Sequence, residues 1–228
     1  SWNQEAFEYS TGKSYVGFRN GGLGQGKVTF QKSTEWQLEN IINYDYEKNN
    51  HNLGLTFVQS VNQRRFEYFR NKASNLQNDI LGVYGLLSAE FNEPLISASE
   101  RSLLSFVGRA QYDYKNKYYL TASFRADGSS VFGDNNKWGY FPAVALGWNI
   151  HKESFMENLD VLNNLKLRLS YGSVGNEAIG PYGSLSTASQ NDYIFNDQIS
   201  TGYIPGNTLP NPNLKWETST TFNSAIDF

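Results

Sequence analysis

From Ser102 to Val174 the chain repeats one pattern four times: about ten residues in which apolar and polar side chains alternate, followed by a turn. In the first repeat Leu104, Phe106, Gly108, Ala110, Tyr112 and Tyr114 alternate with Ser105, Val107, Arg109, Gln111 and Asp113. Successive side chains of a strand point to opposite faces, so one face of each strand suits lipid and the other suits water. This rhythm is typical of the wall of an outer-membrane β-barrel.

The same reading along the whole chain predicts seven strands. They are Lys27 to Glu47, open to a break near Ser33, then Leu53 to Gln63, Ser102 to Tyr114, Tyr118 to Arg125, Tyr140 to Ile150, Leu165 to Gly172, and Leu214 to the end of the chain. Short and long connections alternate between them, as they do in up-and-down barrels with short periplasmic turns and longer outer loops. The predicted fold is therefore all-β: an antiparallel, up-and-down transmembrane β-barrel segment, about seven strands of a larger barrel.

The predicted connections are glycine-rich, proline-rich or without a two-residue period. They are the opening stretch to Gly26, Arg64 to Ser99 with a short helix within Ala73 to Leu87 that ends before Pro94, Asp127 to Lys137, His151 to Asn164, and Gly175 to Asn213. We expect ligand and partner contacts on the two longest, Arg64 to Ser99 and Gly175 to Asn213, because loops on a rigid scaffold commonly carry binding.

Four basic side chains fix which face is which. A charged residue facing the middle of a bilayer costs roughly 2–4 kcal/mol, so Arg109, Arg125, Lys166 and Arg168 are predicted to face the lumen. Phe106, Leu120, Leu146 and Leu167 then face the opposite, convex side. The low mean hydropathy of −0.54 agrees with this interpretation, since alternating strands never build a long apolar run.

The composition supplies few residue types suited to catalysis or metal binding. The chain has no cysteine and two histidines among 228 residues, and its net charge of −3 is spread without a basic stripe. We therefore expect no catalytic group, no cofactor, no metal and no nucleic-acid partner. Asp127, Asp134, Asn135 and Asn136 lack the spacing of a calcium loop and are interpreted as an ordinary turn.

Aromatic residues on the predicted outer loops are candidates for ligand contact, because their rings could stack on sugars. These candidates are Trp138, Tyr182, Tyr193, Phe195 and Tyr203. The same residue types also anchor loops and form membrane girdles, so each has a structural alternative. At the level of the whole chain, the alternative to a barrel is a soluble β-rich carbohydrate-binding module, in which the apolar faces of two sheets would pack against each other.

Several separated motifs in sequence order resemble the SusC/RagA family of TonB-linked outer-membrane transporters. They are Phe124 to Ser130 (FRADGSS), Trp138 to Pro142 (WGYFP), Gly147-Trp148, Leu162 to Gly172 (LNNLKLRLSYG), Gly175-Asn176, and Leu209 to Glu217 (LPNPNLKWE). The resemblance is strong from about Ser102 to Phe228 and general before that.

The resemblance implies a plugged barrel of 22 strands in the outer membrane, embedded in its lipid. It further implies import of a glycan or oligopeptide, TonB as the energy source, and a SusD-like surface lipoprotein as partner. Residues 1–228 would be part of the barrel of such a TonB-dependent receptor, with the plug domain, the TonB-contacting segment and both barrel ends outside the chain. We expect a piece of a longer protein because the alternation still runs at Asp227 and Phe228.

Overall fold

The computed structural model describes residues 2–10, 23–76, 80–156, 164–196, 198–206 and 209–228. Ten strands lie in these ranges: β1 (Trp2–Ser10), β2 (Gly24–Lys48), β3 (His51–Leu76), β4 (Phe91–Tyr114), β5 (Tyr118–Ser129), β6 (Trp138–Asn149), β7 (Lys166–Asn176), β8 (Ala188–Phe195), β9 (Gln198–Pro205) and β10 (Glu217–Asp227). Short 3₁₀ helices occupy Gly82–Ser88, Ile150–Lys152 and Ser154–Met156. None of the helices in the described ranges has the length and hydrophobicity that crossing a membrane requires.

Eight strands form one sheet in the order β1-β2-β3-β4-β5-β6-β7-β10. Each strand pairs with its neighbour along the chain, except that the separate β8–β9 hairpin is inserted between β7 and β10. Strands β4 to β7 and β10 are antiparallel in an unbroken register, for example Leu120 opposite both Tyr112 and Leu146. The sequence prediction of consecutive antiparallel pairing is confirmed.

The chain divides into two compact units. The first comprises Ser1–Trp36 and Gln63–Arg101, and the second comprises Gln37–Asn62 and Ser102–Phe228. In the first unit, a small core forms from the buried side chains of Ala73, Leu76 and Leu86. A side chain at Gly26 would overlap that of Leu86, so a glycine lets the 3₁₀ helix lie against strand β2.

The strand bounds differ from the sequence prediction chiefly in the first unit. Trp2–Ser10 is a strand and not a loop, and β2 runs through Ser33 without a break. Most of the predicted connection from Arg64 to Ser99 is also strand, since β3 continues to Leu76 and β4 already begins at Phe91. Here polar side chains such as Asn71 and Asn92, which hydrogen-bond across the strands at 3.0 Å, mask the two-residue period that identifies a half-buried strand.

Two smaller corrections concern the connections. The predicted helix within Ala73 to Leu87 is a 3₁₀ helix at Gly82–Ser88, and Pro94 lies inside β4 and ends no helix. The predicted connection from Gly175 to Asn213 contains the β8–β9 hairpin. The described residues do not include Gly21 and Gly22 of the glycine-rich opening stretch. They also do not include Leu162 and Asn163, the first two residues of the LNNLKLRLSYG motif.

The short turns of the second unit meet at one end of its strands, here called the turn end. Asn49, Asn50, Lys115 and Asn116 all adopt positive φ, between 50° and 66°, as the tightest hairpin turns require. The two turns are tied together because Lys115 N donates to Asn50 O at 2.9 Å. The opposite end of the same strands, which carries residues 130–137, 177–196, 198–206 and 209–216, is called the loop end.

Glu153 holds the turn end together after β6. Its carboxylate accepts hydrogen bonds from the Tyr118 hydroxyl (2.6 Å), the Trp148 indole Nε1 (2.9 Å) and Lys117 Nζ (3.0 Å). These three donors favour the charged form and lower the pKa of Glu153 from 4.5 to about 2. The Glu153 carboxylate therefore links the connection after β6, in which it lies, to the start of β5 and to the end of β6.

We expect Glu153→Gln to lower the thermal unfolding midpoint of the full-length protein in detergent at pH 7. Because the pKa of Glu153 is depressed, its stabilisation is present above pH 4.5 and is lost as the pH falls towards about 2. The gap between wild type and variant should therefore close over that window. Glu93→Gln, which removes an exposed ion pair with Lys72 at 3.7 Å, is the control. A gap independent of pH would contradict the assignment.

Candidate functional site

The register places the four predicted basic residues on one face of the sheet. Arg109 lies opposite Ser123, Arg125 opposite Val107 and Phe141, Lys166 opposite Asn149, and Arg168 opposite Gly147. Residues paired across antiparallel strands lie on the same face of the sheet, and so do alternate residues of one strand. The four basic side chains therefore share one face, which we call the polar face. Phe106, Leu120, Leu146 and Leu167 lie at the intervening positions and share the apolar face. That the polar face is the lumen side remains a prediction.

The apolar face carries two aromatic rows with aliphatic residues between them. At the loop end Phe106 stacks on Trp138 and Phe124 stacks on Tyr140, with ring centroids 6.2 and 6.0 Å apart. At the turn end Tyr114 stacks on Tyr118 at 6.3 Å. This arrangement matches the apolar band between two aromatic girdles of an outer-membrane barrel.

Trp138 is the one ligand-contact candidate that the structure places in the sheet. It is the first residue of β6 and not a loop residue, and its ring covers Gly128 and stacks on Phe106 on the apolar face. Its position is that of a girdle residue.

The other four candidates lie on the connection at the loop end. Tyr193 and Phe195 share one face of the β8–β9 hairpin, Tyr203 lies on the other face, and Tyr182 lies in a preceding turn with φ of 63°. Phe195 and Tyr203 are 78% and 75% exposed. The structure therefore brings three of the candidates into one hairpin but does not gather them around one pocket.

A cluster of aromatic rings closes the loop end over the polar face. The ring centroid of Trp216 lies 4.8 Å from that of Phe132 and 5.4 Å from that of Phe141. The indole Nε1 of Trp216 donates to Lys137 O at 3.1 Å. Phe132 and Phe141 are buried. Side chains at Gly139 or Gly175 would overlap the Phe141 ring, which explains the glycines of those two motifs.

Backbone hydrogen bonds join the same segments. Gly133 N donates to Leu214 O at 3.2 Å, and Asn211 N donates to Ser184 O at 2.9 Å. The Asn135 amide also donates to the Asn213 side chain at 3.3 Å. The WGYFP and LPNPNLKWE motifs, far apart in sequence, thus pack together at the loop end. FRADGSS joins them because β5 pairs with β6 there, with Asp127 opposite Gly139.

Arg125 and Asp127 form an ion pair beside this cluster. Arg125 Nε donates to Asp127 Oδ2 at 2.6 Å, and Arg125 also reaches the Ser105 hydroxyl at 3.5 Å. Asp127 is 4% exposed. The sequence interpretation of Asp127 as part of a loop was wrong, because β5 continues to Ser129. The sequence pattern does not show this burial, because a two-residue period gives the face on which a residue lies and not what covers it.

The residues that could support metal chemistry do not gather. Within the described ranges no three histidine or acidic side chains lie close enough together to hold an ion. The arrangement that the structure offers is instead a wall with one polar and one apolar face, closed at one end by packed loops.

These features define the class of the protein: a segment of the wall of an outer-membrane β-barrel. The chain belongs to the family described as TonB dependent receptor-like, beta-barrel, whose model matches residues 1–228. Members of this family are outer-membrane transporters and receptors, not enzymes.

The chain is similar in sequence to several TonB-dependent receptors. It is 35% identical over 207 residues to a TonB-dependent receptor of Formosa agariphila, covering 90% of this chain and 21% of that protein. It is 39% identical over 145 residues to the TonB-dependent receptor SusC of Bacteroides thetaiotaomicron, covering 61% of this chain and 14% of SusC. The chain thus spans about a fifth or less of these relatives.

Solved structures show the same fold. The RagAB peptide transporter superposes with a TM-score of 0.83 at 23% identity, covering 98% of this chain and 24% of that chain. The RagAB peptide importer in its open-open state gives a TM-score of 0.82 at the same identity and coverage. The resemblance to the SusC/RagA family and the expected all-β barrel fold are confirmed.

The aromatic cluster gives a direct stability prediction. Phe141→Ala should destabilise the full-length protein by about 3–5 kcal/mol, the usual cost of deleting a buried aromatic ring. Phe155→Ala, which removes a ring that is 62% exposed at the turn end, should have little effect. Chemical unfolding in detergent would measure both. Equal effects of the two variants would show that Phe141 does not anchor the loop end.

Proposed function

We propose that the protein to which this chain belongs imports a nutrient, a glycan or an oligopeptide, across the outer membrane with energy from TonB. The observation that supports this most is the division of the sheet into a polar and an apolar face. The polar face would line the lumen through which the nutrient passes, and the apolar face would contact lipid. In this proposal the plug domain and the remaining barrel strands lie outside residues 1–228. Since a fold neighbour, RagAB, is a peptide importer, oligopeptides are the first class to test.

Exposure of the apolar face argues against the soluble binding module. Leu146 and Phe124 on this face are 51% and 50% exposed, whereas a sandwich would bury such residues against a second sheet. Lipid is the environment that would cover them. The same faces therefore distinguish the two functional classes.

The hairpin formed by β8 and β9 is our proposed contact for a SusD-like lipoprotein partner. Its tip exposes Ile194, Phe195 and Ile199, which are at least 75% exposed. Isolated two-stranded hairpins are marginally stable in water, so burial of this tip against a partner would stabilise it. The position at the loop end, away from the short turns, agrees with a contact outside the cell.

Val144→Arg tests the assignment of the faces in the full-length protein. Val144 lies on the apolar face between the two aromatic rows, where an arginine should cost about 2–4 kcal/mol in a bilayer and reduce assembly of the barrel. The control is Ala145→Arg on the polar face of the same strand, which should assemble normally. Folded protein in outer-membrane fractions, measured by heat-modifiable gel mobility, reads out both. Normal assembly of Val144→Arg together with failure of Ala145→Arg would reverse the faces.

Excision of the hairpin tests its proposed role. Gly206 N donates to Thr187 O at 2.6 Å, so residues 188–205 can be replaced by a short Gly-Ser link without moving the ends. We expect normal barrel assembly but reduced partner association in co-purification, together with reduced uptake. A second variant replaces Ile194, Phe195 and Ile199 by serine and keeps the hairpin; it should reduce association in the same way, because it removes the proposed contact. Unchanged association in both variants would exclude the hairpin as the partner contact.

A further inference from the structure

A half-paired carboxylate lies buried at the loop end of the polar face. The Asp127 side chain is 6% exposed, and its Oδ2 is paired with Arg125. Its other oxygen, Oδ1, is buried and accepts no hydrogen bond from the described residues. Burying a carboxylate oxygen without a donor costs more than burying a neutral acceptor. Asp127 Oδ1 is therefore an acceptor that a further donor would satisfy.

The charge around Asp127 favours a cationic donor. Asp127 lines a cleft of about 490 Å³ together with the carboxylate of Glu177 and the guanidinium of Arg125. The Arg125 side chain is 49% exposed, so solvent can satisfy its remaining N–H groups. Solvent reaches Asp127 far less. An incoming ammonium or guanidinium would supply the missing donor to Oδ1 in a charge-assisted hydrogen bond, which is stronger than one from a neutral donor.

The walls of the cleft suit the stem of a basic side chain. Leu103, Val107, Phe141, Val174 and Trp216 line it beside the charged groups. Lysine and arginine pack their methylene stems against apolar surface while their charged ends reach polar partners. A free inorganic cation would gain nothing from these walls.

We propose that this cleft binds the ammonium or guanidinium end of a basic side chain, which donates to Asp127 Oδ1. The inference rests on the proposed function, since it takes the polar face as the lumen side. The basic side chain has two possible sources: a peptide ligand, or another segment of the same full-length protein.

The test uses purified full-length protein in detergent and tri-lysine as probe, with its Nε-acetylated form as matched control. If the source is the ligand, tri-lysine binds, the acetylated peptide does not, and Asp127→Asn weakens binding about tenfold or more. Glu177→Gln should also weaken binding of tri-lysine. This second variant keeps the test valid if Asp127→Asn folds poorly. Arg125→Gln should strengthen it, because the cleft becomes more negative. Asp134→Asn, at an 86% exposed side chain on the nearby loop, should change nothing.

If the source is the protein itself, tri-lysine does not bind wild type, and Asp127→Asn lowers the unfolding midpoint more than Arg125→Gln does. The proposal is overturned if tri-lysine binding is absent or unaffected by Asp127→Asn, and both variants destabilise equally, since the ion pair would then be structural only. These measurements need neither uptake nor TonB. Failure of the cleft proposal is thus separable from failure of the transport proposal.

Discussion

Antiparallel pairing with a fixed register is the constraint on which the rest of the structure depends. From β4 to β7 and β10, residues on the polar face pair with residues on the polar face, and residues on the apolar face pair with residues on the apolar face. A slip of one residue in any pair would move every side chain beyond it to the other face. After a slip between β6 and β7, Lys166 would share a surface with Leu120 and Leu146. The tight turn at Lys115 and Asn116 fixes the register of β4 against β5.

The sequence predicted the strands best where the two faces meet different surroundings. Strands β5, β6 and β7 start and end within a few residues of their predicted bounds because one face is apolar throughout. In β3 and β4 the pattern fails beyond Gln63 and before Ser102, where polar side chains occupy both faces. The burial of Phe141 could not be predicted, since Trp216 packs against it from a distant part of the chain.

The motifs that identify the family carry structure more than ligand contact. WGYFP and LPNPNLKWE pack together through Phe141 and Trp216, and Gly139 fits closely against both rings. Gly128 of FRADGSS fits in the same way against Trp138. The exposed aromatic residues of the β8–β9 hairpin belong to none of them. A barrel that must present different outer surfaces would need this separation, in which the packed bases of the loops stay constant and their exposed ends vary.

The hydrogen bond from Gly206 to Thr187 closes the stem of that hairpin. Whatever lies between these two residues is attached to the barrel through one narrow neck, so its length and sequence can change without disturbing the strands on either side. The neck is thus a natural point of exchange between related genes, and a practical one for displaying a foreign peptide on the cell surface.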